Sequence, residues 1–196
     1  MEKIIEFNEC RITSAHVKNY DRKTGALGTE KSQAMGCTGK FEATPEYKKV
    51  VKNCEGVEEK SVKKLVKLTG KLAIHMPMAI ARIVYGLSSN GLKDGVYALG
   101  DTVETPDMLF TAKVVDLFTD EEKYISLPRI SITSGFVKTI DNSSEEIAEV
   151  ELEFSAYKDS EGKFYYEALA SEIDDASVGS KWLEDFTPTL VKAASE

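Results

Sequence analysis

The sequence predicts a mainly β fold with short helices, and three observations carry that prediction. The run Ile147 to Tyr157, IAEVELEFSAY, alternates strictly, placing Val150, Leu152, Phe154 and Ala156 on one face of a strand and Glu149, Glu151 and Glu153 on the other. From Val62 to Met76 the pattern also has period two, with Val66, Leu68, Leu72, Ile74 and Met76 sharing a face and Lys63, Lys67 and Lys71 opposite. Around these runs the chain returns repeatedly to turn chemistry, in SSNG, KDG and KDSEG.

At the start of the chain, MEKIIEFNECRI lacks the uninterrupted apolar core of a signal peptide. No stretch approaches the ~18 apolar residues that span a bilayer, so a soluble protein made in a cytoplasm is expected, with no membrane partner. Residues 9–18 alternate loosely and predict a strand. Residues 19–44 carry Gly25, Gly28, Gly36 and Gly39 among few large apolar side chains, which reads as an extended loop or arm ordered by something outside the domain. Thr44 and Pro45 then read as the N-cap and first position of a short helix that stops at Asn53 to Gly56. Pro77 opens a second short helix, MAIARIVYG, which is apolar nearly all round and ends at Gly86. Further strands read at VYAL, at Leu109 to Phe118 and at Tyr124 to Thr133. The turn KDSEG, whose Gly162 can take a positive φ, predicts that the glutamate-faced strand and KFYYEALA are antiparallel neighbours. The C-terminal extension, residues 171–196, sets Trp182 and Phe186 among Asp174, Asp175 and Glu184, and its aromatics suggest docking onto another surface.

Composition narrows the function. With 196 residues and 42% hydrophobic content the chain supports one substantial domain, residues 1–196. A net charge of −8 argues against gripping nucleic acid or an anionic membrane, because both require clustered cations. Cys10, Cys37 and Cys54 are odd in number and lack CxxC spacing, so reduced, mostly buried thiols are expected in place of disulfides or a zinc knuckle.

Catalytic patterns are weak, and no enzyme activity, metal or cofactor is expected. His16 and His75 form no HxxxH or HExxH motif. GCTGK, residues 36–40, has two residues between its glycines where a phosphate loop needs four, and Phe41 follows the lysine. Ser61 and Lys64 have SxxK spacing without the companion motifs of such hydrolases. Asn142, Ser143 and Ser144 form a sequon that matters only in a secreted protein. The carboxylates at 149, 151 and 153 lie about 6.5 to 7 Å apart along a strand, whereas a calcium cage draws its ligands from a loop that wraps the ion. With no cation inside the row, a dedicated acidic surface is the favoured reading over a solvated face or a metal site.

The segment LTGKLAIHMPMAIARIVYGLSSNGLKDGVYALGD, from Leu68 to Asp101, resembles the middle of the major tail proteins, or tail tube proteins, of long-tailed bacteriophages of Gram-positive hosts. The later EVELEFSAYKDSEGKFYYEA looks like that family's closing hairpin, and together these parts cover about half the chain. The resemblance implies a β-sandwich or partial barrel flanked by a helix, with inner strands of six copies joining into one barrel and rings stacking into a tube for DNA ejection. It implies a virion-tail location after assembly in the host cytoplasm. Partners would be further copies and the tape-measure, tail terminator and distal tail proteins, with double-stranded DNA passing through without specific binding. On this reading Glu149, Glu151 and Glu153 face the lumen, and like charge repeated around a ring keeps phosphates from sticking. Gly25, Gly28, Gly36 and Gly39 in the arm, and Trp182 and Phe186 in the extension, would make contacts between rings or subunits. Lys63, Lys67 and Lys71 would either point outward or pair with acidic residues of a neighbouring subunit. The alternative is a monomeric β-sandwich that binds carbohydrate or a protein through its long loop.

Overall fold

The computed structural model describes residues 6–9, 11–55, 57–103, 105–138, 140 and 149–193. Its strands are β1 (Arg11–Asn19), β2 (Gln33–Ala34), β3 (Cys37–Cys54), β4 (Val57–His75), β5 (Met108–Val115), β6 (Glu122–Ile132), β7 (Val150–Tyr157) and β8 (Tyr166–Leu169). Two short helices accompany them, α1 (Met78–Val84) and α2 (Ala176–Trp182). All pairings are antiparallel in one open sheet of order β2-β1-β5-β6-β7-β4-β3, with β8 beside β6. The mainly β prediction holds, and among the described residues no helix is long and apolar enough to cross a membrane.

The ends of the sheet are consecutive in the chain, because only Met35 and Gly36 separate β2 from β3. The sheet curls on itself, as the aromatic core shows: Phe41 of β3 stacks on Phe110 of β5 at 5.5 Å and on Phe154 of β7 at 6.0 Å. Gly36 is obligatory at the junction, since its φ is +107° and a Cβ there would lie 2.2 Å from the His75 carbonyl oxygen. Helix α1 closes the core with Ile80 and Val84, leaving Met78 exposed, so only one of its faces is buried.

Sequence and structure part company at several elements. Thr44 to Asn53 is not a helix but part of the 18-residue β3. Pro45 is accommodated because β3 is the edge strand, where a missing N–H removes no ladder bond from a central pairing. In β4 the alternation breaks at a bulge opposite Glu46 and Tyr47, so Leu65 packs on the core while Val66 is exposed. VYAL makes only the single bridge Ser88–Ala98, with Val96, Tyr97 and Leu99 exposed. β8 pairs with β6, not with β7, correcting the expected hairpin. β7 and β8 run in sequence along the same strand, and KDSEG is an excursion between them, held by Asp159 and by Gly162 at φ +77°.

Two further expectations are overturned by packing. The C-terminal segment is no free extension: Trp182 and Phe186 are buried against Leu109, Tyr124 and Tyr166, and Trp182 Nε1 donates to the Ile125 carbonyl at 3.0 Å. Lys18, itself buried, ties β1 to Asp185 at 2.7 Å. Cys37 and Cys54 are exposed, not buried, while Cys10 and the sequon at residues 142–144 lie outside the described residues, as do Ile147 and Ala148 at the start of the glutamate-faced run.

Gly70 marks where β4 is squeezed between its neighbours. A Cβ at this position would lie 2.0 Å from the Glu42 carbonyl oxygen and 2.5 Å from the Phe154 ring. Gly70→Ala is expected to destabilise the fold by about 1–3 kcal/mol, measured as a lower midpoint in urea unfolding followed by Trp182 fluorescence.

Candidate assembly surface

Alternation along β3, β4 and β7 brings one set of side chains to the outer face of the curled sheet, and the register arranges them in rungs. Thr44, Thr69 and Ser155 form one rung, Glu42, Lys71 and Glu153 the next, and Lys40, Ala73 and Glu151 the next. Beyond them His75 reaches towards Glu149, with Nε2 3.9 Å from Oε1. The three glutamates singled out from the sequence are thus brought together on one exposed face. They are not, however, an unbroken negative row. Lys71 Nζ lies 3.3 Å from Glu153 Oε1, and Lys40 Nζ lies 2.9 Å from Glu42 Oε2. The lysine face of β4 and the glutamate face of β7 are the same face, because in-register antiparallel pairing puts partners on one side.

The electrostatics follow from these contacts. The hydrogen bond and charge of Lys40 hold the Glu42 carboxyl below its usual range, and Glu42 in turn raises the Lys40 ammonium. Both are exposed, so solvent screens the pair and its contribution to stability is small. Lys67 is matched within the chain by Glu46 at 3.4 Å. Lys67 and Lys71 therefore each have an acidic partner within the chain. Lys63 does not share their face as the sequence suggested: the bulge between Leu65 and Lys67 turns it, with Leu65, to the other side of β4, opposite Lys49.

The glycines expected in a free arm do other work. Gly28 donates its N–H to the Asn19 carbonyl, Gly25 closes a turn at φ +67°, and Gly39 leaves room for the Glu149 carboxylate. Met35 is fully buried and Lys31 pairs with Glu184, so residues 19–36 lie on their own domain. Nor do the two histidines combine: His16 is on β1, where burial lowers its pKa and Ser14 Oγ approaches Nδ1 only to 3.5 Å, while His75 ends β4. Among the described residues no group of three or more His, Cys, Asp or Glu is arranged to hold a metal ion.

The arm of this molecule is the β3–β4 hairpin. β7 pairs with β4 only from Leu68 to Ile74, so residues 57–67 have a strand on one side alone. At about 3.3 Å per residue these eleven residues project roughly 35 Å. The outer edge of β3 is unpaired among the described residues, giving the ribbon two open edges. Apolar side chains line it without cover: Tyr47 is 56% exposed, Val50 50%, Val62 55% and Val66 47%. A two-stranded ribbon in water is marginal on its own, and open edges invite pairing with another chain. The sequence concealed this element because lysines on both faces and Pro45 imitate a short amphipathic helix. A second exposed knob, Phe118, tops the β5–β6 turn, where the Asp116 carboxylate accepts from the N–H groups of Asn8 and Phe118 and is held below its usual pKa by those bonds.

Compared with models of known protein families and with characterised proteins, the sequence finds no match.

Among the described residues the distal ribbon buries no side chain in the core, so replacing residues 48–64 by Asn-Gly is expected to leave the domain folded. Chemical unfolding should shift by less than about 1 kcal/mol, with the near-ultraviolet circular dichroism of the Trp182 cluster unchanged.

Proposed function

We propose that this chain is a structural, self-assembling subunit of the phage tail tube type, six copies closing a ring and rings stacking into a conduit for DNA. The β3–β4 ribbon carries the reading: two open edges and an uncovered apolar surface are costly on a monomer and useful on a subunit. Pairing ribbons around a ring satisfies their backbone groups and removes the edges altogether. The curled sheet then serves as the body from which the ribbon extends, and the resemblance in Leu68 to Asp101 supplies the kind of assembly.

In this reading the β3–β4–β7 face lines the bore. Where β3, β4 and β7 lie side by side, Glu42, Glu149, Glu151 and Glu153 outnumber Lys40 and Lys71, so this part of a ring keeps a net negative wall. The internal pairs of Lys71 with Glu153 and of Lys67 with Glu46 leave those cations little capacity to hold phosphate. Tape-measure, terminator and distal tail proteins would meet the tube at its axis and ends.

Negative-stain electron microscopy and sedimentation of the purified protein are expected to show rings or tubes, and the variant with residues 48–64 replaced should remain monomeric. A full-length chain that stays a compact monomer at high concentration would contradict the assignment. Replacing Glu149, Glu151 and Glu153 together by lysine should permit assembly but stall DNA release, and normal release would exclude a luminal position for that face.

A further inference from the structure

The turn after β5 carries an aromatic side chain that its own domain does not cover. Phe118 is 83% exposed, next to exposed Leu117, yet the turn that bears it is stiff. The buried Asp116 carboxylate accepts from the N–H groups of Asn8, Phe118 and Thr119, and the Asp116 and Asp120 N–H groups donate to the carbonyls of Glu121 and Asp116. With the backbone fixed in advance, little conformational entropy is left to lose when Phe118 meets a partner, which is the property of a preorganised anchor. The acidic sequence Asp120-Glu121-Glu122 beside it disfavours an anionic lipid surface as that partner.

The same body has a recess of matching chemistry. β1 and β3 approach each other without pairing, and in the gap between them lies a cavity of about 230 Å³ lined by Ile12, Phe41, Val114 and Ile125. A cavity of about 150 Å³ with such a lining holds a benzene ring, so this one has room for a phenylalanine side chain. Three charged residues also line it. Glu9 pairs with Lys123 and Lys40 with Glu42, whereas Arg11 meets no carboxylate at ion-pair distance among the described residues. Asp120, exposed two residues after Phe118, likewise meets no cation at that distance among them. Knob and recess also lie at one level of the body, because Arg11 stands opposite Val115, the last residue of β5 before the turn. Copies in a ring all stand the same way up, so a lateral contact requires this common level, whereas a contact between stacked rings would need the two at opposite ends.

We infer that Phe118 of one copy inserts into the cavity between β1 and β3 of the next copy in the ring, with Asp120 set beside Arg11. Phe118 is held away from its own domain, so each recess is filled only by a neighbour. The inference rests on the self-assembly reading and names a lateral contact separate from the ribbon. One side chain in one cavity is too small an interface to hold two copies alone, so the contact adds to ribbon pairing and does not replace it.

The test follows assembly of the full chain by sedimentation and light scattering in four forms: unaltered, Phe118→Ala, Ile12→Trp to fill the cavity, and both changes together. Each single change should raise the concentration for half-assembly about tenfold or more. The double variant should lie within about threefold of either single one, because both remove the same contact. Arg11→Glu probes the recess without altering its apolar lining and should raise the concentration about threefold, and urea unfolding checks that each body is folded. An effect at Ile12 and Arg11 without one at Phe118 means that something else fills the recess, a small apolar molecule or the chain's own residues 1–5. An effect at Phe118 alone means that this side chain docks elsewhere, and fully additive effects mean two separate contacts. Each of these, or no effect at all, overturns the docking while leaving self-assembly intact. An unaltered chain that stays monomeric at high concentration overturns both.

Discussion

Hydrogen bonding along β4 is the constraint on which the molecule depends. From Leu68 to Ile74 this strand is paired on both sides, to β3 and β7, and buries Leu72 and Ile74 completely. From Lys67 outward it is paired on one side only. One continuous strand is thus a central member of a curled sheet at one end and half of an unsupported ribbon at the other. The body keeps the ribbon in register; the ribbon's unpaired edges give the body a reason to associate.

The body itself is closed by long-range contacts. Phe41 brings β3 over β5 and β7, α1 covers the core, and Trp182 and Phe186 seal the far side of β5, β6 and β8. Segments that look like free arms in the sequence are consumed in this closure. Lys18 with Asp185 and Lys31 with Glu184 fasten residues 19–36 and the C-terminal segment to the same domain. Among the described residues, the hairpin, the charged β3–β4–β7 face and the Phe118 turn remain open to other molecules.

Much of this was legible where one face of an element is buried and the other wet. β7 shows its period in the residues themselves, and so does β4 from Lys67 to His75, because Leu68, Leu72, Ile74, Leu152 and Phe154 all meet one core. The distal half of the hairpin was illegible, because with water on both faces no apolar period is imposed on Tyr47 to Lys64. Pairing partners were hidden for a different reason. Whether β8 lies beside β7 or β6 depends on the path taken by KDSEG, which local turn chemistry permits either way. At the candidate site, the grouping of Glu149, Glu151 and Glu153 followed from alternation, but Lys71 and Lys40 joined them only through register.

If the ribbon is completed by other copies, its amides change partners on assembly while those of the body do not. Hydrogen–deuterium exchange of the dilute monomer and of the sedimented assembly measures this residue by residue. Residues 57–67 should exchange rapidly in the monomer and become strongly protected in the assembly, with β5 and β6 protected in both. Equal exchange of residues 57–67 in the two states would contradict the account.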